Sequence, residues 1–146
     1  VLFRSGAKMY LTPTYHIFDM MRPHMGAQSL TYEVECPEFE ARPVGLGRKT
    51  AIPGLSVSAS MTGKRVLVTV ANQTVDQDIE ARIDLRETKI ASASAKVLHA
   101  QDPRETNSFA QPKNIVPKRL KIEPVDGRLV HVFPAHSFTA LTLTVD

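Results

Sequence analysis

The stretch "LSVSASMTGKRVLVTVA", Leu55 to Ala71, decides the fold class. Its first half alternates, and its second half is rich in β-branched residues that suit a pleated, half-buried surface. Between the halves, Thr62-Gly63-Lys64 supplies a tight turn, because glycine accepts the positive φ that hairpin turns demand. The same period of two recurs in "LTYEVE" (Leu30 to Glu35), "IEARIDL" (Ile79 to Leu85), the region from Ser92 to Ala100, "RLVHVF" (Arg128 to Phe133) and "FTALTLTV" (Phe138 to Val145). Asp126-Gly127 marks a second tight turn. Short strands at roughly ten-residue spacing predict an antiparallel sandwich or barrel. Val66, Val68 and Val70 share one strand face, and Leu141, Leu143 and Val145 share another. Both sets are expected to point into the core, with Thr69, Thr142 and Thr144 directed outward or toward a less apolar layer.

Ahead of this β-region the period changes. "LTPTYHIFDMMRPHMGA", Leu11 to Ala27, predicts a short helix from Pro13 to about Met21. Thr12 is its N-cap and Pro13 its first residue, where a missing N–H costs nothing. Tyr15, Phe18 and Met21 recur every third residue, and Pro23 ends the helix. So short a helix is not stable alone in water, and its apolar face is expected to pack against something.

Composition fits a globular chain. Of 146 residues, 42% are hydrophobic and 23% charged, which is too apolar in pattern for disorder. No apolar run approaches the ~20 residues of a membrane span. "VLFRSGAKMYL" lacks the long apolar centre of a signal peptide. The chain opens on Val1 rather than Met. It therefore reads as the tail of a larger protein, which leaves its localisation open. The net charge of +3 is spread out. Its one local cluster, "PKRLK" (Pro117 to Lys121), neither opens a helix nor interleaves with aromatics, and reads as solvated strand-end charge rather than a nucleic-acid site. A single cysteine, Cys36, excludes an internal disulfide and a cysteine-based zinc site.

Several groups invite a chemical reading. Glu33, Glu35, Glu38 and Glu40 include carboxylates two residues apart, which on a strand share a face at about 6.8 Å, near the spacing of an acid–base pair. No apolar pocket is evident to separate their pKa values, so an exposed strand face meeting a loop is the preferred reading. His16, His24 and His99 lack the spacing and the carboxylate partners of a metal motif. His131, His136, Ser137 and Asp146 hold the residue types of a hydrolase triad without a nucleophile elbow. His131, between Val130 and Val132, is expected to point outward. Asn72-Gln73-Thr74 matches the glycosylation sequon, although closing a strand is its simpler role.

Four blocks carry a family resemblance. "KMYLTPTYHIFDMMRPHMGAQSL", Lys8 to Leu30, resembles the segment joining barrel to sandwich in α-L-arabinofuranosidases of glycoside hydrolase family 51. Leu55 to Arg86 resembles that family's strand pair, with Asn72 at its asparagine. Ala95 to Leu120 resembles its long loop, matched at Leu98, Asp102, Asn107, Phe109, Pro112, Val116 and Pro117. Phe133 to Leu143 resembles its closing strand, with Pro134, Ala135 and Ser137 in place. "VLFRSG", Val1 to Gly6, does not resemble the barrel sequence expected there, and reads as foreign or truncated text.

The resemblance implies that residues 1–27 carry the last helix of a (β/α)8 barrel and that residues 28–146 form a C-terminal jelly-roll-like β-sandwich. The family's enzymes release terminal α-L-arabinofuranosyl groups from arabinoxylan, arabinan and arabino-oligosaccharides. They use an acid/base and a nucleophilic glutamate about 5 Å apart, as retention requires. Both lie on barrel strands before this helix, and no glutamate here matches either motif. No catalytic, cofactor-binding or metal residue is therefore expected in this chain. The expected partners are the barrel of the same polypeptide and, through the whole enzyme, arabinose-containing glycans. Homo-oligomer formation is a further option; nucleic acid and membrane are not. The alternative is an independent carbohydrate-binding or adhesion module, against which stands the lack of Trp with only three Tyr and six Phe.

Overall fold

A computed structural model of the chain describes residues 1–41 and 47–146. Six antiparallel strands make its main sheet. In chain order they are β3 (Gln28–Ser29), β6 (Leu55–Thr62), β7 (Arg65–Asn72), β9 (Ile90–Leu98), β10 (Lys118–Ile122) and β12 (Phe138–Val145). In space they run β10-β9-β12-β7-β6-β3. A second layer is the pair β8 (Ile79–Ile83) and β11 (Leu129–Phe133), in register from Leu129 opposite Ile83 to Phe133 opposite Ile79. Two further hairpins join β1 (Leu2–Ser5) to β2 (Lys8–Leu11), and β4 (Glu38–Ala41) to β5 (Thr50–Pro53). The fold is thus mainly β and antiparallel, a sandwich with one α-helix, α1 (Pro13–Met21), at its front.

The core follows from strand periodicity. Val66, Val68 and Val70 of β7 meet Leu141, Leu143 and Val145 of β12 on the inward side. Ile79 of β8 and Leu129 and Phe133 of β11 close over them. Leu129, Leu141 and Leu143 are fully buried. The predicted turn is a two-residue hairpin in which Thr62 pairs with Arg65 and Gly63 takes φ +57°.

The opposite face of the sheet is also covered, which overturns the outward placement of Thr69. A second cluster joins Leu67 of β7, Leu98 of β9 and Ala140 of β12 to Met20 of α1 and Ile115 of the long loop. Thr69 is 3% exposed. Its hydroxyl lies 3.0 Å from Nε2 of His24, whose Nδ1 is 2.7 Å from the Ser60 hydroxyl. Thr144 does face solvent, and Thr142 is half-buried.

Two other expectations change. "LTYEVE" is a strand only at its entrance, since Gln28 and Ser29 pair with β6 and residues 30–37 run irregularly. Leu30 and Cys36 pack on the core, Tyr32 donates to the Val57 carbonyl at 2.6 Å, and Val34 remains exposed. His131 points inward rather than outward, because Leu129 and Phe133, two residues away on either side, have the bulk that fills the core. Val130 and Val132 take the solvent side at 54% and 45% exposure. The His131 ring stands edge-on to Phe133 at 4.8 Å, and burial lowers its pKa.

The sequon is a structural corner. Asn72 is 3% exposed. Its amide donates to the carbonyls of Gln77 (2.8 Å) and Phe133 (2.9 Å), while Oδ1 accepts from the backbone N–H and the hydroxyl of Thr74. Each of these donors and acceptors is engaged inside the fold.

Two substitutions check this architecture. Val68→Asp sets an unpaired carboxylate in the apolar layer and should cost several kcal/mol in chemical denaturation. Thr69→Val keeps the volume but strips the hydroxyl facing His24, and should cost about 1–2 kcal/mol. A neutral Thr69→Val would show that the second face is not sealed as described. Asn72→Ala leaves two buried carbonyls without donors and should lower stability by about 2–4 kcal/mol on the same measurement.

Candidate functional surface

None of the sequence-derived chemical groups assembles into a site. Glu38 and Glu40 lie on the exposed side of β4, where Glu40 is paired with Lys49. Glu33, off any strand, pairs with Arg86 at 2.7 Å, both side chains about four-fifths exposed. No apolar wall adjoins either pair to separate the two carboxyl groups. Ser137 donates its hydroxyl to the Pro134 carbonyl at 2.6 Å, and both ring nitrogens of His136 face carbonyl oxygens. Asp146 follows β12 and bonds through its backbone to Lys89. The triad residue types are therefore engaged separately. His16 sits on α1 against Tyr15, His24 under the helix end and His99 beside His136.

What the fold does present is a helix with two different faces. Thr12 caps α1, accepting from the Tyr15 N–H, and Pro13 opens it. Positions 13, 17, 20 and 24 fall on one stripe by the i, i+4, i+7, i+11 rule. That stripe is the seat, where Met20 is 2% exposed, Ile17 packs beside it and His24 bridges Ser60 and Thr69. Burial holds the His24 ring below the ordinary imidazole range. The stripe read from the sequence, Tyr15, Phe18 and Met21, is the other face. Phe18 is 63% exposed and Met25 80%. With Asp19 and Arg22, an i,i+3 ion pair at 3.8 Å, they line an open groove of about 620 Å³. A second groove of about 280 Å³ continues from Met21 and His24 to Tyr32 and the hydroxyl row Ser58 and Ser60.

The helix is tied from its front as well. Asn107, 1% exposed, donates to the carbonyls of Leu11 (2.8 Å) and Ile115 (2.9 Å) and accepts from the Ile115 N–H. Asn107 thereby fastens the strand entering the helix to the long loop between β9 and β10. The structural roles of Asn107, Met20 and His24 are not evident from their residue types. For Met20 and His24 the helical spacing from Pro13 is the signal that could have revealed them.

Comparison with known proteins fits this arrangement. The family model described as alpha-L-arabinofuranosidase C-terminal domain matches residues 1–137. The match includes "VLFRSG", which therefore is not foreign text. An intracellular exo-alpha-L-arabinofuranosidase of Bacteroides ovatus is 29% identical over 145 residues, covering 98% of this chain and 27% of that protein. Alpha-L-arabinofuranosidase 1 of Arabidopsis thaliana is 24% identical, covering 98% and 20%. Among solved structures, a GH51 arabinofuranosidase from Xanthomonas axonopodis pv. citri superposes with a TM-score of 0.85 at 25% identity, over 98% of this chain and 28% of that one. The chain thus spans about a quarter of the length of the relatives it matches. With the two-faced helix in front of a closed sandwich, and a family match along nearly its whole length, the chain belongs to the alpha-L-arabinofuranosidase C-terminal domain family, the C-terminal domain of glycoside hydrolase family 51 enzymes.

Proposed function

We propose that the chain is the scaffold half of a retaining α-L-arabinofuranosidase, with the catalytic pair on an N-terminal barrel that rests on the bare face of α1. In this reading residues 1–27 are the end of that barrel and residues 28–146 the sandwich domain. The whole enzyme releases terminal arabinofuranosyl groups from arabinoxylan, arabinan or arabino-oligosaccharides through two glutamates. The observation that carries the reading is the exposed face of a helix whose other face is fully seated. Phe18 and Met25 stand more than half in solvent on an element anchored by a buried Met20. Burying large apolar side chains of this kind contributes about 1.5–3 kcal/mol each, enough for a domain interface.

The glutamates of this chain have no part in the chemistry. Glu33 and Glu40 are taken up in exposed ion pairs. An aryl α-L-arabinofuranoside incubated with the 146-residue chain should release no aryl alcohol above buffer. Turnover that disappears in Glu33→Gln or Glu38→Gln would overturn the scaffold reading.

The face itself is tested in two settings. The chain alone should bind a hydrophobic dye more strongly than its Phe18→Ser/Met25→Ser variant. In the full-length polypeptide the same pair should lower the melting temperature of the barrel transition while leaving that of the sandwich nearly unchanged. Equal behaviour of parent and variant in both settings would exclude this face as the barrel seat.

A further inference from the structure

A second histidine site, at the end of the sandwich away from any ion pair of its own, is not used by the scaffold reading. His136 lies in the turn between β11 and β12 with φ +42°, in the left-handed region. Its backbone N–H donates to the Thr74 carbonyl at 2.8 Å. Its ring spans two other segments, with Nδ1 2.8 Å from the carbonyl oxygen of Val75 and Nε2 2.9 Å from that of Ala100. A carbonyl oxygen only accepts. A neutral imidazole has one N–H and one lone pair, so it satisfies one of these carbonyls and sets its lone pair against the other. The imidazolium, with two N–H groups, satisfies both.

We propose that His136 is built into the fold as the imidazolium, a charged clamp that joins the β7–β8 segment, the start of the long loop and the β11–β12 turn, and that opens on one side when the ring loses its proton. The surroundings suit a cation. Asp102, which ends the first turn of the long loop, is held below the usual carboxylate range mainly by its bonds to Arg104, with a smaller contribution from the His136 charge. Asp78 accepts from the Ala135 N–H at 2.8 Å, one residue from the ring, and Asp76 lies on the same segment. Lys118 of β10 and His99 at the end of β9 are the opposing groups. The His99 ring, 5.1 Å from that of His136, is kept below the ordinary imidazole range first by burial and next by the His136 charge, with Asp78 working the other way and Lys118 adding a small push. His99 makes no ring hydrogen bond among the described residues, so it can stay neutral beside the cation without loss.

The clamp acts where the helix is seated. Ala100, whose carbonyl takes the Nε2 bond, packs against the cluster that holds Met20. Releasing that bond frees the chain just where the long loop leaves β9. The sign is fixed by the chemistry: the clamp contributes while the ring is protonated and is lost as pH rises. His16, His24 and His131 work in the opposite direction, since burial lowers each of them and their protonation opposes folding as pH falls.

The test has two arms. Ring 15N spectra of the 146-residue chain at about pH 7 should show both nitrogens of His136 in the protonated class, whereas an ordinary imidazole near that pH is mostly neutral. A His136 nitrogen of the unprotonated class at that pH would overturn the proposal. The second arm uses a His99→Asn background so that the neighbour's titration does not enter. There, His136→Asn should lower the melting temperature by several degrees at about pH 6 and by much less at about pH 8.5. A penalty independent of pH would reduce His136 to a neutral turn residue and overturn the clamp. Should His136→Asn fail to fold, the spectra of the parent chain decide alone.

Discussion

Burial of β7 on both faces is the constraint from which the rest of the structure follows. An antiparallel sandwich usually leaves one face of each sheet to water. Here Val66, Val68 and Val70 enter the core beneath β8 and β11, while Leu67 and Thr69 are equally withdrawn on the other side. Five consecutive buried residues leave no solvent face, so the sheet needs a cover on each side. The sandwich layer supplies one and α1 with Ile115 supplies the other. This is the physical reason that a mainly β-domain begins with a helix, since without it Leu67, Leu98 and Ala140 would form a bare apolar strip in the middle of the sheet.

Double burial also explains what the sequence made legible. The strands β6, β7, β9 and β12 and the Gly63 turn follow from alternation and turn chemistry, and the inward sets on β7 and β12 come out in the correct parity. Parity failed at His131, where both alternatives carry apolar residues. Val130 and Val132 make one face and Leu129 and Phe133 the other, and only the space under the main sheet selects the larger pair. That space is built by residues far away in the chain, so local pattern cannot weigh it. Thr69 failed for a related reason, because its hydroxyl is acceptable inside only when His24, 45 residues earlier, supplies a partner. In the helix, two apolar stripes compete, and spacing does not say which one its own domain covers. The absence of an assembled catalytic site among the candidate glutamates and histidines rests on pairings, such as Glu33 with Arg86, that a linear reading does not contain.

Polar residues do the closing where strands end. Asn72, Asn107 and His136 each sit where two or three segments meet, and each spends its donors on backbone carbonyls rather than on other side chains. An amide offers two N–H groups and an acceptor in one plane, so a single Asn can close a corner among three chains. The requirement is full satisfaction, because a buried carbonyl left without a donor costs more than the bond contributes when made. The Asn72–Thr74 pair meets it internally, with Oδ1 accepting twice from Thr74, and the local text N-x-T here encodes a corner rather than an attachment point.

These corners bear on how the exposed helix face is presented. A nine-residue helix on its own would fray, and a frayed helix would have to order itself when a partner arrives, which would weaken the association. In this fold its entry is capped by Thr12, its preceding strand is fastened through Leu11 to Asn107, its middle is anchored by Met20 and its exit is pinned by His24. Four independent ties hold the side that faces the sandwich, so the side that carries Phe18 and Met25 is fixed in place without any partner. A surface prepared in this way suits a permanent neighbour, because the ordering cost is met within the sandwich and the apolar area that remains is available for contact.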